Sequence, residues 1–123
     1  MAKHLALGAD GERRAADFLS DKGYLVIGSN YRRVFGEVDL IAKSPDGILV
    51  FVEVKTLGIK EGKGLVPEDH MTASKILKLR RICEGFAWLH SELWSEGRGW
   101  RLDLVAISVS EDGKYEIAHY ENV

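Results

Sequence analysis

The stretch Gly36–Lys55, GEVDLIAKSPDGILVFVEVK, constrains this chain more than any other. Two runs rich in aliphatic and β-branched residues, Glu37–Ala42 and Ile48–Lys55, flank Ser44-Pro45-Asp46-Gly47, a strong turn signal. The pattern predicts an antiparallel hairpin. Side chains alternate along a strand, so Glu37 and Asp39 share one face of the first run, and Glu53 and Lys55 share one face of the second. With the turn centred near Asp46, Asp39 falls opposite Glu53 and Glu37 opposite Lys55. A slip of one residue would undo that register.

Like charges facing each other on a sheet cost up to about 1 kcal/mol when exposed. They cost more among Leu, Ile, Val and Phe, where solvation is poor. A divalent cation removes the repulsion. Mg²⁺ takes carboxylate oxygens and keeps several waters, so two protein carboxylates are enough. Beside Lys55, such a cation activates water and offsets charge on a phosphate. The same residues also fit a solvated face of ion pairs, with Glu37–Lys55 as an ordinary cross-strand pair, and spacing alone leaves both readings open. Glu12 adds a third acid. It precedes Ala15, Ala16 and Leu19 by three, four and seven residues, and so leaves a helix on its apolar face. Alone it is a helix N-terminal charge; with Asp39 and Glu53 it can converge on one cation.

The rest of the chain frames this hairpin. A helix is predicted over Ala9–Lys22, stopped by Gly23, then a short strand over Tyr24–Ile27. Gly58–Asp69 reads as a mobile loop carrying Lys60 and Lys63. A second helix starts from Thr72 or Ser74 and runs to about Leu93, with Ile76, Leu79, Cys83, Phe86, Ala87 and His90 on one face. Strands Trp100–Val109 and Lys114–Tyr120 close the chain around Glu111-Asp112-Gly113. The order α-β-β-β-α-β-β implies an α/β domain with a central mixed sheet of about five strands flanked by helices. With 123 residues, one domain over 1–123 is expected.

Charge is uneven: 14 basic and 11 acidic residues precede Glu84, whereas 3 and 8 occur from there on. The net charge of -2 excludes a histone-like protein or polybasic membrane binder but leaves nucleic acid open, because binding depends on where positive charge sits. Cys83 is the sole cysteine, so no intramolecular disulfide forms and a reducing compartment is expected. No secretory signal or membrane span is read at the N-terminus, and the expected setting is the cytoplasm.

A carboxylate, a turn, and then E-x-K on an apolar strand resemble the PD-(D/E)xK nuclease signature, here Asp39 with Glu53-Val54-Lys55. A wider set of residues resembles the YraN-like family of small, uncharacterised bacterial proteins: Gly11-Glu12, Ala15-Ala16, Leu19, Gly23-Tyr24, Asn30-Tyr31-Arg32, Gly36–Ala42, Val50–Thr56 and Arg101-Leu102-Asp103. The resemblance covers nearly the whole chain. It implies the restriction-endonuclease-like fold, near the archaeal Holliday-junction resolvases, and a metal-dependent endonuclease acting on DNA, Holliday-junction-like branched DNA included. It also implies Mg²⁺ or Mn²⁺ held by Asp39 and Glu53, with Glu12 assisting and the Val54 carbonyl completing the coordination. Lys55 becomes the catalytic lysine. Resolvase-like relatives act as dimers, so a homodimer is implied as well. The chain departs at Leu57, where the family usually has a basic residue. A catalytically silent nucleic-acid-binding or protein-interaction module on the same fold is the alternative, since fold does not establish function.

Further nucleic-acid contacts are expected from Arg32 and Arg33 before the acidic strand, and from Lys75 and Arg80 on the second helix. Lys78 and Arg81 read equally as a solvated helix face. Arg101 and Asp103 read as a structural ion pair, Cys83 as a buried thiol, and Trp88, Trp94 and Trp100 as packing residues. His4, His70, His90 and His119 lack zinc-site spacing. No glycine-rich phosphate loop followed by Lys-Ser/Thr occurs, which excludes that route to nucleotide hydrolysis.

Overall fold

The computed structural model describes residues 2–57, 71–94 and 98–123, with side chains from Asp10 onward. Helix α1 (Ala2–Asp21) leads into strands β1 (Leu25–Arg33), β2 (Gly36–Lys43) and β3 (Leu49–Leu57). Helix α2 (Ala73–Leu89), a 3-10 turn at Ser91–Leu93, and strands β4 (Trp100–Val109) and β5 (Tyr115–Tyr120) follow. The sheet order is β1-β2-β3-β4-β5. Only the β3–β4 contact is parallel, so the sheet is mixed, as the element order implies. The Gly58–Asp69 loop, with Lys60 and Lys63, lies outside the described residues, as does His70.

Period-2 alternation builds two cores. Val50 and Val52 join Leu40, Ala42, Val105 and Ile107 under Ala15 and Leu19 of α1. Leu49 and Phe51 join Ile41, Leu102 and Leu104 under Leu79, Ile82 and Cys83 of α2. The helices therefore cover opposite faces of the sheet. Phe51 is fully buried, edge-on to Phe86 and Trp100 with both centroids at 5.6 Å. Truncating a ring so placed costs about 3–5 kcal/mol. Burial pushes the Cys83 thiol up to about 12, so it packs as an inert apolar group.

Several boundaries differ from expectation for local reasons. Helix α1 begins near Ala2, because the Ala and Leu residues ahead of Asp10 carry it through Gly8. It stops at Gly23 (φ 88), where the Tyr24 amide reaches back to the Leu19 carbonyl at 2.9 Å. Strand β1 runs six residues beyond Ile27, to Arg33. Its polar continuation is fixed by pairing with β2, not by burial, and its register shifts between Val26 and Gly28. Helix α2 ends at Leu89 because His90 leaves helical geometry. Ile82 belongs to its buried face, while Ile76, Phe86 and His90 lie at the margin.

Trp94 donates its Nε1 hydrogen to the Ala87 carbonyl at 2.7 Å and Trp100 packs on Phe51, but Trp88 is 84% exposed and stands outside the core. Among the described residues no helix is long and apolar enough to cross a membrane.

Candidate functional site

Strands β2 and β3 pair in the expected register, Lys43 with Leu49 through Leu40 with Val52, and the ladder stops there. Strand β3 continues alongside β4 as far as Leu57 opposite Ser108. The fork opens at Asp39. Its Oδ2 accepts the Val54 N–H at 2.7 Å, and its carboxyl lies within hydrogen-bonding reach of Glu53. Desolvation first, then Glu53 beside it, raises the Asp39 carboxyl to about 8, against the pull of the Val54 amide. The acids that the hairpin sets opposite each other thus meet as a close, poorly solvated pair. Glu37 does not face Lys55 across a ladder; it meets Arg32 at 3.4 Å, and Lys55 is exposed.

Two helices bring further charge to the fork. A Cβ at residue 11 would collide with Thr56 Oγ1, so Gly11 allows α1 to lie directly on β3. Glu12 follows it. Burial raises the Glu12 carboxyl, and Glu37 and Glu53 push the same way. Asn30, in the left-handed region at φ 52, turns its amide nitrogen toward Glu12 Oε2 (3.2 Å) and Glu37 Oε1 (2.7 Å). From the other face, Lys75 extends its Nζ to Glu53 Oε2 at 2.7 Å. Thr72 caps α2 by accepting the Lys75 N–H at 3.1 Å, which orients the turn carrying that lysine.

Among the described residues no three His, Cys, Asp or Glu side chains close into a metal cage. The arrangement is a carboxyl pair, Asp39 and Glu53, with Glu12 beside it on Asn30. An oxygen-only pair of this kind suits a hard cation that keeps water ligands.

The basic residues divide. Arg32 sits at the rim with Glu37, and the Arg33 guanidinium lies 5.2 Å from the Tyr31 ring centre. Arg80 points elsewhere. It reaches the Val123 backbone oxygen at 3.4 Å and lies 5.6 Å from the Trp100 ring centre, near the start of β4. That position ties Arg80 to the sheet's other end and away from the acids it was expected to flank.

A second polar cluster occupies the α1 side. Asp103 is fully buried and accepts hydrogen bonds from Arg101 Nε (2.9 and 3.2 Å), Arg101 Nη2 (3.2 Å) and the Asn122 amide (3.0 Å). His119 Nε2 lies 2.8 Å from Asp103, and its Nδ1 lies 2.8 Å from Lys22 Nζ. An ammonium can only donate, so Nδ1 accepts and Nε2 carries the hydrogen given to Asp103. The Arg101–Asp103 ion pair matches the sequence reading. His119, Lys22 and Tyr24, whose hydroxyl receives Arg101 Nη2 at 2.6 Å, were not legible as its partners. The Lys22 and Tyr24 contacts bridge distant segments with no local signal. The positioning role of Asn30 was missed too, though an Asn inside a strand is a known carrier of positive φ.

Residues 11–107 match the model of a family described as "Uncharacterised protein family UPF0102". A UPF0102 protein of Rhodococcus opacus is 41% identical over 120 residues, covering 97% of this chain and 96% of that protein. Those of Corynebacterium efficiens (35%, 95% and 90% covered) and Symbiobacterium thermophilum (38%, 94% and 93%) are also similar. Among solved structures, Pyrococcus furiosus SfsA in complex with Ca²⁺ is similar at 16% identity and a TM-score of 0.42. That likeness covers 97% of this chain and 63% of that one.

Proposed function

The chain belongs to the uncharacterised protein family UPF0102, and from that premise we propose that it is a divalent-metal-dependent endonuclease hydrolysing phosphodiester bonds in DNA, branched DNA included. One observation carries the reading: the Asp39 and Glu53 carboxyls meet, poorly solvated, where β2 and β3 fork, with Lys55 following on the Glu53 face of β3. Folding alone gains nothing from this pair, and a cation relieves it.

Asp39 and Glu53 would hold Mg²⁺ or Mn²⁺, and Glu12 would assist from α1. When bound, the cation stabilises charge on the phosphate and lowers the pKa of water. The Val54 amide fixes the orientation of the Asp39 carboxylate. Lys55 places an ammonium beside the scissile phosphate and offsets charge that grows during in-line attack. Arg32 and Arg33 hold flanking phosphates along β1. With Leu57 in place of a basic residue, local phosphate contact falls to these arginines and to Lys75.

The test is cleavage of linear and branched DNA with Mn²⁺ by the wild type, Asp39→Asn and Glu53→Gln. Each substitution lowers the rate by about a thousandfold or more while the protein stays folded by circular dichroism. Wild-type-like cleavage by either variant overturns the assignment. No cleavage by the wild type with any divalent metal, together with salt-insensitive DNA binding, points to a silent interaction module.

A further inference from the structure

We propose that Lys75 is an exchangeable counter-ion: its ammonium occupies Glu53 while the acid pair is empty, and leaves when a divalent cation takes that carboxylate. The inference rests on the metal-binding reading above and adds to it a competition within the site.

Three observations carry it. Lys75 Nζ lies 2.7 Å from Glu53 Oε2, whose side chain is only 12% exposed. No other cation pairs with Glu53 or Asp39 among the described residues. Lys75 itself is 42% exposed, on the first turn of α2, so its four-carbon stem can swing to solvent without disturbing the core. Its backbone stays fixed by the Thr72 cap.

A carboxylate oxygen engaged at 2.7 Å by an ammonium offers a weakened lone pair to a metal. A cation entering there must break that contact and also meets the lysine's repulsion at short range. Both effects lower metal affinity in the absence of substrate. Once displaced, the ammonium stands free at the rim of a cationic site, where a phosphate oxygen is its natural partner. Metal loading and phosphate binding thereby favour each other, because the first releases the group that serves the second.

The experiment is calorimetric Mn²⁺ titration of the whole protein without DNA, at one fixed pH for all variants. Wild type, Lys75→Met and Lys75→Arg are compared. Lys75→Met binds about fivefold more tightly, the factor corresponding to loss of one partly exposed ion pair. Lys75→Arg, which keeps the charge, stays near the wild-type value. A purely structural lysine predicts weaker binding on removal, so equal or weaker binding by Lys75→Met overturns the proposal while leaving the metal site intact. Thermal melting in EDTA checks that Lys75→Met is folded. If none of the three proteins binds Mn²⁺, the exchange and the metal-dependent reading fall together.

Discussion

Asp39 and Asp103 sit in the same sheet and are treated in opposite ways. Asp103 is fully buried, and Arg101, His119 and the Asn122 amide all donate to it. Burial works against its ionised form, but those donors win and hold its carboxyl below the usual range. Asp39 is less deeply buried, and its donor among the described residues is the Val54 amide. Beside it stands another acid, Glu53, and its carboxyl is pushed up. Burial alone therefore does not distinguish a matched aspartate from an unmatched one. The set of donors does: the Asp103 carboxylate is matched by donors on every side, whereas Asp39 faces a second acid.

Substitution at the matched site has the larger effect on stability. Asp103→Ala leaves Arg101, 14% exposed, and His119, 4% exposed, without their common acceptor. Breaking a buried pair on one side costs about 3–5 kcal/mol. Urea unfolding in EDTA measures it, and a loss below about 1 kcal/mol would mean that water replaces the aspartate. Asp39→Asn under the same conditions leaves stability unchanged or raises it, since it removes like-charge repulsion and keeps an acceptor for Val54.

The two aspartates also separate by pH. Asp103 has a lowered folded pKa, so its contribution is present above the unfolded value of about 4 and is lost as pH falls through the lower folded value. Asp39 has a raised folded pKa, so the folded protein keeps a proton that the unfolded chain has released. Stability of the metal-free protein consequently declines as pH rises from about 4 toward about 8. Asp39→Asn flattens that decline, and saturating Mn²⁺ reverses it because a cation favours the ionised pair. Unfolding curves across this range in EDTA and in Mn²⁺ give the slopes directly. An identical slope in wild type and Asp39→Asn would show that the acid pair is solvated.

How much of this was legible follows from the range of the interactions. The hairpin, its register and the meeting of Asp39 with Glu53 are set by alternation and a tight turn, both local, and were readable. The fork at Asp39 was not, since it depends on β3 remaining with β4 while β2 departs. Glu12 was readable from helical spacing, but its hold by Asn30 needs a strand residue at positive φ. The Asp103 cluster was half readable: Arg101 is two residues away, whereas His119 and Tyr24 come from other elements. Lys75 was placed on the right helix, but its distance from Glu53 is a product of tertiary packing.

The smallest expected effect separates the arginines. Arg32 lies at the rim of the acid pair, while Arg80 is engaged by Val123 and Trp100. If DNA passes along the fork, Arg32→Ala removes one phosphate contact and lowers the salt slope of binding by about one counterion. Arg80→Ala leaves that slope unchanged and costs less than about 1 kcal/mol of stability, as expected for a partly exposed contact. Binding isotherms in EDTA at several salt concentrations read both without cleavage. Equal slopes for the two variants would place DNA away from β1 and remove Arg32 from the interface, with the acid pair untouched. A change on Arg80→Ala alone would move the nucleic acid to the α2 face near the C-terminus, and Lys75 would then be the one residue joining that face to the acids.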